Sequence, residues 1–194
     1  MTGVGNLYDK YGSGNPAVRA LMAGFTVTAD ALLERAAPAS LLDVGCGEGV
    51  LTRRWARRLA PTPVVGVDLE SLPSWECEPN LSYRVAGAES LPFADGEFGA
   101  AAAIEVLEHV GDPDRAVAEM ARVARGGHLL VSVPREPLWR ALNVARGAYV
   151  REMGNTPGHR HHWSRRAFAR LLARHGDVIE ERSPLPWTML LVRV

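Results

Sequence analysis

The chain is predicted to fold as an α/β domain on a seven-stranded, mostly parallel sheet, with helices on both faces and an antiparallel strand at the C-terminus. Three observations predict this. Short apolar runs alternate with longer stretches of helical periodicity. A glycine-rich turn, Asp43-Val44-Gly45-Cys46-Gly47-Glu48-Gly49, follows an apolar run and opens an amphipathic stretch. The last residues hold two strand-like runs close together, 178–182 and 189–194, which suit an antiparallel pair.

The elements follow in order. Residues 1–15 read as an arm, and 16–36 as a helix with Val18, Leu21, Met22, Phe25, Leu32 and Leu33 near helical spacing. A buried strand is expected over 41–44. Residues 50–60 form an amphipathic helix, with Leu51, Trp55 and Leu59 on one side and Arg53, Arg54, Arg57 and Arg58 elsewhere. Strands are expected at 64–68, 81–85 and 99–104. A helix over 115–125 is stopped by Gly126 and Gly127, and a fifth strand over 128–133 is closed by Pro134. Residues 134–163 are a long segment, irregular or partly helical. Ser164 can cap the helix after it.

Composition bounds the functional classes. The 194 residues are 47% hydrophobic and 23% charged, enough for one domain with a substantial core. Net charge is zero, so there is no electrostatic footprint for nucleic acid or an anionic membrane. The arginines of residues 53–58 read as a solvated helix face. Cys46 and Cys77 cannot make a disulfide framework and read as reduced thiols in a cytoplasmic protein. No signal-peptide pattern opens the chain, and no apolar run is expected to approach the ~18 residues of a membrane span.

The glycine turn narrows the ligand. Its glycines allow a sharp bend and close approach to main-chain N–H groups at a helix start. A dinucleotide fingerprint needs glycine at its sixth position; that position is Val50. Asp68 ends the next strand, where a carboxylate can accept hydrogen bonds from ribose hydroxyls.

The segments LLDVGCGEG, VVGVDLE, GAESLPF and FGAAAAIEVLEHVGDP resemble successive motifs of class I S-adenosylmethionine-dependent methyltransferases, in the small-molecule, ubiquinone-methyltransferase-like branch. The resemblance spans residues 40–135 well and the rest loosely. It implies a Rossmann-like fold and S-adenosylmethionine as cofactor. By that resemblance Asp43, Gly45, Cys46 and Gly47 wrap the methionine part and Asp68 holds the ribose. Leu69, Ala88 and Glu89 border the adenine, and Ile104 and Glu105 close the floor beneath the sulfonium. Two departures stand out. Gly87-Ala88 replaces a common Asp-Ala, leaving Glu89 or a backbone carbonyl to meet the adenine amino group, and Phe98-Gly99 replaces Phe-Asp.

Glu105, Glu108 and His109 stand at i, i+3 and i+4, and would share a face if the chain turned helical there. His159, His161 and His162 form a second window before Trp163. One reading joins Glu105, Glu108, His109 and a later histidine around a divalent metal, a poor to moderate match to Mg, Mn or Zn. This arrangement resembles that of the small-RNA methyltransferase family. A second reading makes them lining residues. A third makes His109, His159 or His161 a general base for a hydroxyl acceptor.

The whole chain, 1–194, is therefore expected to be a single domain. Residues 1–36 serve as a lid, with Tyr8, Tyr11, Asn15 and Arg19 closing over the cofactor and Arg19 facing its carboxylate. Residues 134–163 form a substrate-side insertion, with Trp139, Leu142 and Tyr149 as an apolar wall. The expected activity is methyl transfer to a small organic acceptor, by a monomer or homodimer, without nucleic acid or membrane. The alternatives are a metal-dependent RNA-end methyltransferase and a non-catalytic cofactor-binding module.

Overall fold

A computed structural model describes residues 14–145 and 147–194. Seven strands are present among the described residues: β1 (Leu41–Val44), β2 (Val64–Asp68), β3 (Leu81–Val85), β4 (Ala100–Ile104), β5 (His128–Pro134), β6 (Asp177–Arg182) and β7 (Trp187–Arg193). They form one sheet in the order β3-β2-β1-β4-β5-β7-β6. Neighbours from β3 to β5 are parallel, and β7 pairs antiparallel with both β5 and β6. The five described helices are α1 (Pro16–Ala36), α2 (Val50–Leu59), α3 (Pro113–Val123), α4 (Leu138–Ala145) and α5 (Arg165–Leu172).

The period-two alternation of the strands divides the core into two layers. Leu42, Val44, Ala101, Ala103, Leu129 and Val131 face Val117, Met120, Phe168 and Leu172 of α3 and α5. Leu41, Ala100, Ala102, Leu130, Met189 and Leu191 face Phe25, Leu33 and Trp55 of α1 and α2.

Helix starts follow their capping residues. Asn15 Oδ1 accepts from Ala17 N at 2.9 Å ahead of Pro16, Asp112 from Arg115 N at 3.1 Å ahead of Pro113, and Ser164 from Ala167 N at 3.3 Å. α3 thus begins and ends two residues earlier than its periodicity suggested, because its Asp-Pro cap starts it. β5 takes in Pro134, which pairs with Trp187 at the end of the ladder.

One expectation is corrected. α1 has the length and composition to cross a membrane. Here its apolar face packs on the sheet, with Phe25, Ala29, Leu32 and Leu33 nearly solvent-free. Its buried Asp30 accepts from Arg54 Nη2 at 2.6 Å and from Trp55 Nε1 at 3.1 Å. That carboxylate anchors α2 on α1.

β1 neighbours β2 on one side and β4 on the other, so chain order reverses between β1 and β4. A crevice outside the carboxyl ends of the strands is expected at such a switch point. The glycine turn leaves β1 at that point.

Candidate active site

The glycine turn is built from positive backbone angles. Gly45, Gly47 and Gly49 have φ of 71°, 52° and 75°. Gly45 also has no room for a side chain, because a Cβ there would stand 2.5 Å from Val106 Cγ2. Gly45 N and Cys46 N donate to Val67 O at 2.8 and 3.0 Å, tying the turn to β2.

Two carboxylates flank the turn. Asp68 Oδ2 accepts from Gly47 N and Oδ1 from Leu69 N, both at 2.7 Å. A carboxylate offers about four lone-pair sites, so two amides fix Asp68 while leaving acceptor capacity for ribose hydroxyls. Asp43 is buried at the end of β1, where Thr52 Oγ1 donates to its Oδ2 at 2.6 Å. Burial raises its pKa to about 7, with Thr52 opposing and the charge of Asp68 adding to the rise. Burial, then the charges of Asp43 and Asp68, push the Cys46 thiol far up, which favours its protonated form.

Around the expected adenine position the exposed Leu69 reaches Gly87, with Leu69 Cδ2 3.4 Å from where a Gly87 Cβ would stand. Ala88 packs against the core. Glu89 reaches the start of α3. Its Oε1 accepts from Asp112 N at 2.8 Å, near Gly111 and Arg160, and its backbone carbonyl accepts from Arg115 Nε at 2.8 Å. One carboxylate oxygen thus serves the start of α3, and the other keeps acceptor capacity.

The second half of the site also departs from expectation. Residues 105–110 form a bend and a turn instead of a helix, and Glu105 itself has φ of 62°. Glu105, Glu108 and His109 therefore do not share a helical face. What comes together is Glu108, His109 and His159, whose ligand atoms lie within 4.8 Å of one another. Backbone pairing causes this convergence: Glu108 O accepts from Arg160 N at 2.7 Å and His161 N at 3.2 Å. The two histidine windows, about fifty residues apart, are zipped side by side.

The histidines have distinct settings. His109 Nδ1 lies 3.0 Å from Gly158 O, which can only accept. In neutral imidazole the proton therefore sits on Nδ1 and the lone pair on Nε2. His159 meets His109 edge-on at 4.9 Å and lies across Trp139 at 6.2 Å. His161 Nε2 lies 3.1 Å from Val110 O and its ring stacks on Trp163. His162 stands 3.7 Å from Glu136.

Of the apolar wall, Trp139 is half-buried and bonds Thr156 at 2.9 Å, while Leu142 is exposed. Arg19 stands exposed in the first turn of α1. Tyr8 and Tyr11 lie outside the described residues. The arginines of α2 are matched to acids: Arg53 to Glu76, Arg54 to Asp30, Arg57 to Glu78 and Arg58 to Glu34. That face is charge-neutralised.

Sequence reasoning overlooked two residues. Trp75, in the segment between β2 and β3, donates from Nε1 to Gly47 O at 2.8 Å. Tyr83 of β3 stacks on Trp75 at 4.9 Å and fills the space left by Gly49 and Gly66. Burial raises its phenol pKa to about 12. The glycine at 66, inside a strand, was the available signal for a close neighbour.

Comparison with known proteins agrees with this geometry. The family described as "Methyltransferase domain" matches residues 19–181. A Hahella chejuensis protein named ubiquinone biosynthesis O-methyltransferase is 36% identical over 135 residues, covering 64% of this chain and 55% of that one. The chain spans about half the length of the first curated relatives it matches. Among solved structures, the methyltransferase domain of bacterial-CtHen1-CN superposes with a TM-score of 0.64 at 19% identity, over 90% of this chain and 100% of that one. The [4+2]-cyclase SpnF does so at 0.64 and 19%, over 98% and 88%. At such identities the structures share the fold; one of them is named for a cyclisation, so the fold alone does not fix a reaction.

Proposed function

Because the chain belongs to the S-adenosylmethionine-dependent methyltransferase family, we propose that it transfers the methyl group of S-adenosylmethionine to a small organic acceptor, in specialised metabolism. The observation that carries this reading is the pairing of the glycine turn, which leaves β1 at the β1/β4 switch point, with Asp68 at the end of β2. The turn supports the methionine end, Asp68 the ribose, and Leu69 and Ala88 the adenine. Glu105 closes the floor at the carboxyl end of β4.

The sulfonium is already activated, so the protein chiefly holds an acceptor in line and excludes water. The relatives named as O-methyltransferases favour a hydroxyl acceptor. Its proton then leaves to imidazole. His109 is the best base, because Gly158 O fixes its tautomer and leaves Nε2 able to accept. His159 lies beside it as a second acceptor-side group, and His161, bonded to Val110 O, holds the 158–163 segment. We assign a cytoplasmic monomer or homodimer that uses neither nucleic acid nor membrane; the neutralised α2 face supports the former absence.

The test is formation of S-adenosylhomocysteine against a panel of phenols, alcohols and amines. With a hydroxyl acceptor, His109→Gln should lower kcat by about 10²–10⁴-fold with little change in KM for S-adenosylmethionine. Cofactor binding without turnover of any acceptor would instead mark a non-catalytic binding module.

The convergence of Glu108, His109 and His159 favours a second reading, a metal-dependent methyltransferase acting on an RNA end. One carboxylate and two imidazoles fit a divalent transition ion, and the Gly158 carbonyl orients His109 as outer partners commonly do. Metal analysis of the purified protein, with methylation of a defined RNA before and after chelation, separates the readings. Metal-free protein active on small acceptors excludes the second.

A further inference from the structure

We infer that Trp75 is a positioning residue for the cofactor, acting through the glycine turn; this rests on the cofactor reading above. Gly47 is the middle one of three positive-φ glycines, in a turn that would be soft if left alone. Its two backbone groups are held by side chains from different places. The N–H donates to Asp68 Oδ2 at 2.7 Å and the carbonyl accepts from Trp75 Nε1 at 2.8 Å. The peptide groups on both sides of Gly47 are thereby oriented before any ligand arrives.

Trp75 is itself braced. Its indole lies flat on Tyr83, with centroids 4.9 Å apart and planes 11° apart. Tyr83 is pressed into the turn's far end: a Cβ on Gly49 would meet its hydroxyl at 2.5 Å, and one on Gly66 would meet its ring at 2.7 Å. The segment carrying Trp75, residues 69–80, holds no helix or strand. It is strapped to α2 by Arg53–Glu76 at 2.8 Å, by Arg57–Glu78 at 2.5 Å, and by Asn80 Nδ2 to Ala56 O at 2.9 Å. Glycines 49 and 66 and the β2–β3 strap therefore form one unit, and its polar output is the hydrogen bond to Gly47. Pre-ordering a flexible loop improves affinity by lowering the entropy lost on binding.

The experiment uses the full chain, with S-adenosylhomocysteine as the calorimetric probe and thermal melting without ligand as the parallel readout. Trp75→Phe keeps a stacking ring and removes the donor. It should weaken binding about five-fold, as expected for one neutral hydrogen bond, while the unliganded melting temperature stays within about 3 °C. Hydrogen exchange at the Gly47 and Gly49 amides should speed up in the variant. Trp75→Ala, which also loses the stack, should weaken binding further. Unchanged affinity in Trp75→Phe overturns the inference, as does weaker binding that only tracks a fall in melting temperature. Failure of the parent chain to bind S-adenosylhomocysteine would contradict the cofactor reading instead, so the two failures are distinguishable.

Discussion

Replacing Asp43 by asparagine should change how the stability of the unliganded protein depends on pH. The Asp43 carboxyl is buried and has its pKa raised from 3.8 to about 7, chiefly by loss of solvent. A carboxyl with a raised folded-state pKa binds its proton more tightly when folded. Its contribution is therefore fully present below the unfolded pKa and lost as pH rises through the folded value. The window runs from about pH 4 to about pH 7. At ~1.4 kcal/mol for each pH unit of that window, the swing is about 4 kcal/mol, a large share of the ~5–15 kcal/mol that stabilises a typical domain. The amide introduced by Asp43→Asn carries no charge to desolvate, and its oxygen can still accept from Thr52.

Urea unfolding of both proteins from pH 4 to pH 8 measures this. The free-energy difference should move by about 4 kcal/mol in favour of Asp43→Asn as pH rises. A difference that stays constant across the range would mean that Asp43 titrates alike in the folded and unfolded chains and that its burial costs nothing.

Two further outcomes follow from the packing. Asp30→Ala strands the buried indole N–H of Trp55 and removes the partner of the half-exposed Arg54. It should cost about 2 kcal/mol and lower the melting temperature by about 4–8 °C, read by calorimetry. Gly45→Ala forces a side chain into φ of 71° and against Val106. It should cost more than the ~1–2 kcal/mol of the backbone strain alone. In a double-mutant cycle Val106→Ala should recover at least about 1 kcal/mol of the excess; strict additivity would mean that the contact is unimportant.

How much was legible in the sequence depended on the range of the signal. Strands β1, β2, β4 and β5 are short, mostly apolar runs bounded by turn residues, and α1 and α5 carry their caps beside them in the chain. Those local signals placed the glycine turn after β1 and Asp68 at the end of β2. The turn after β4 was misread because Glu105, Glu108 and His109 have helical spacing, whereas the backbone bends left-handed at Glu105. The partner that zips this turn to residues 158–161 is distant in sequence and left no local trace. The bond from the Asp112 amide to Glu89 was invisible for the same reason, since it comes from another element. The α2 arginines were read as solvated, and only the fold shows four carboxylates from α1 and the β2–β3 segment meeting them.

The carboxyl ends of β1 and β2 are proposed to bind S-adenosylmethionine, with Asp68 as the ribose anchor. Calorimetric titration of the purified chain with S-adenosylhomocysteine and, separately, with NAD tests this proposal most directly, in the parent and in Asp68→Ala. We expect saturable one-to-one binding of S-adenosylhomocysteine to the parent, no measurable NAD binding, and at least about a ten-fold loss in Asp68→Ala, since hydrogen bonds to a charged group are worth ~1.5–3 kcal/mol. Preference for NAD, or binding of S-adenosylhomocysteine that ignores the loss of Asp68, would contradict it.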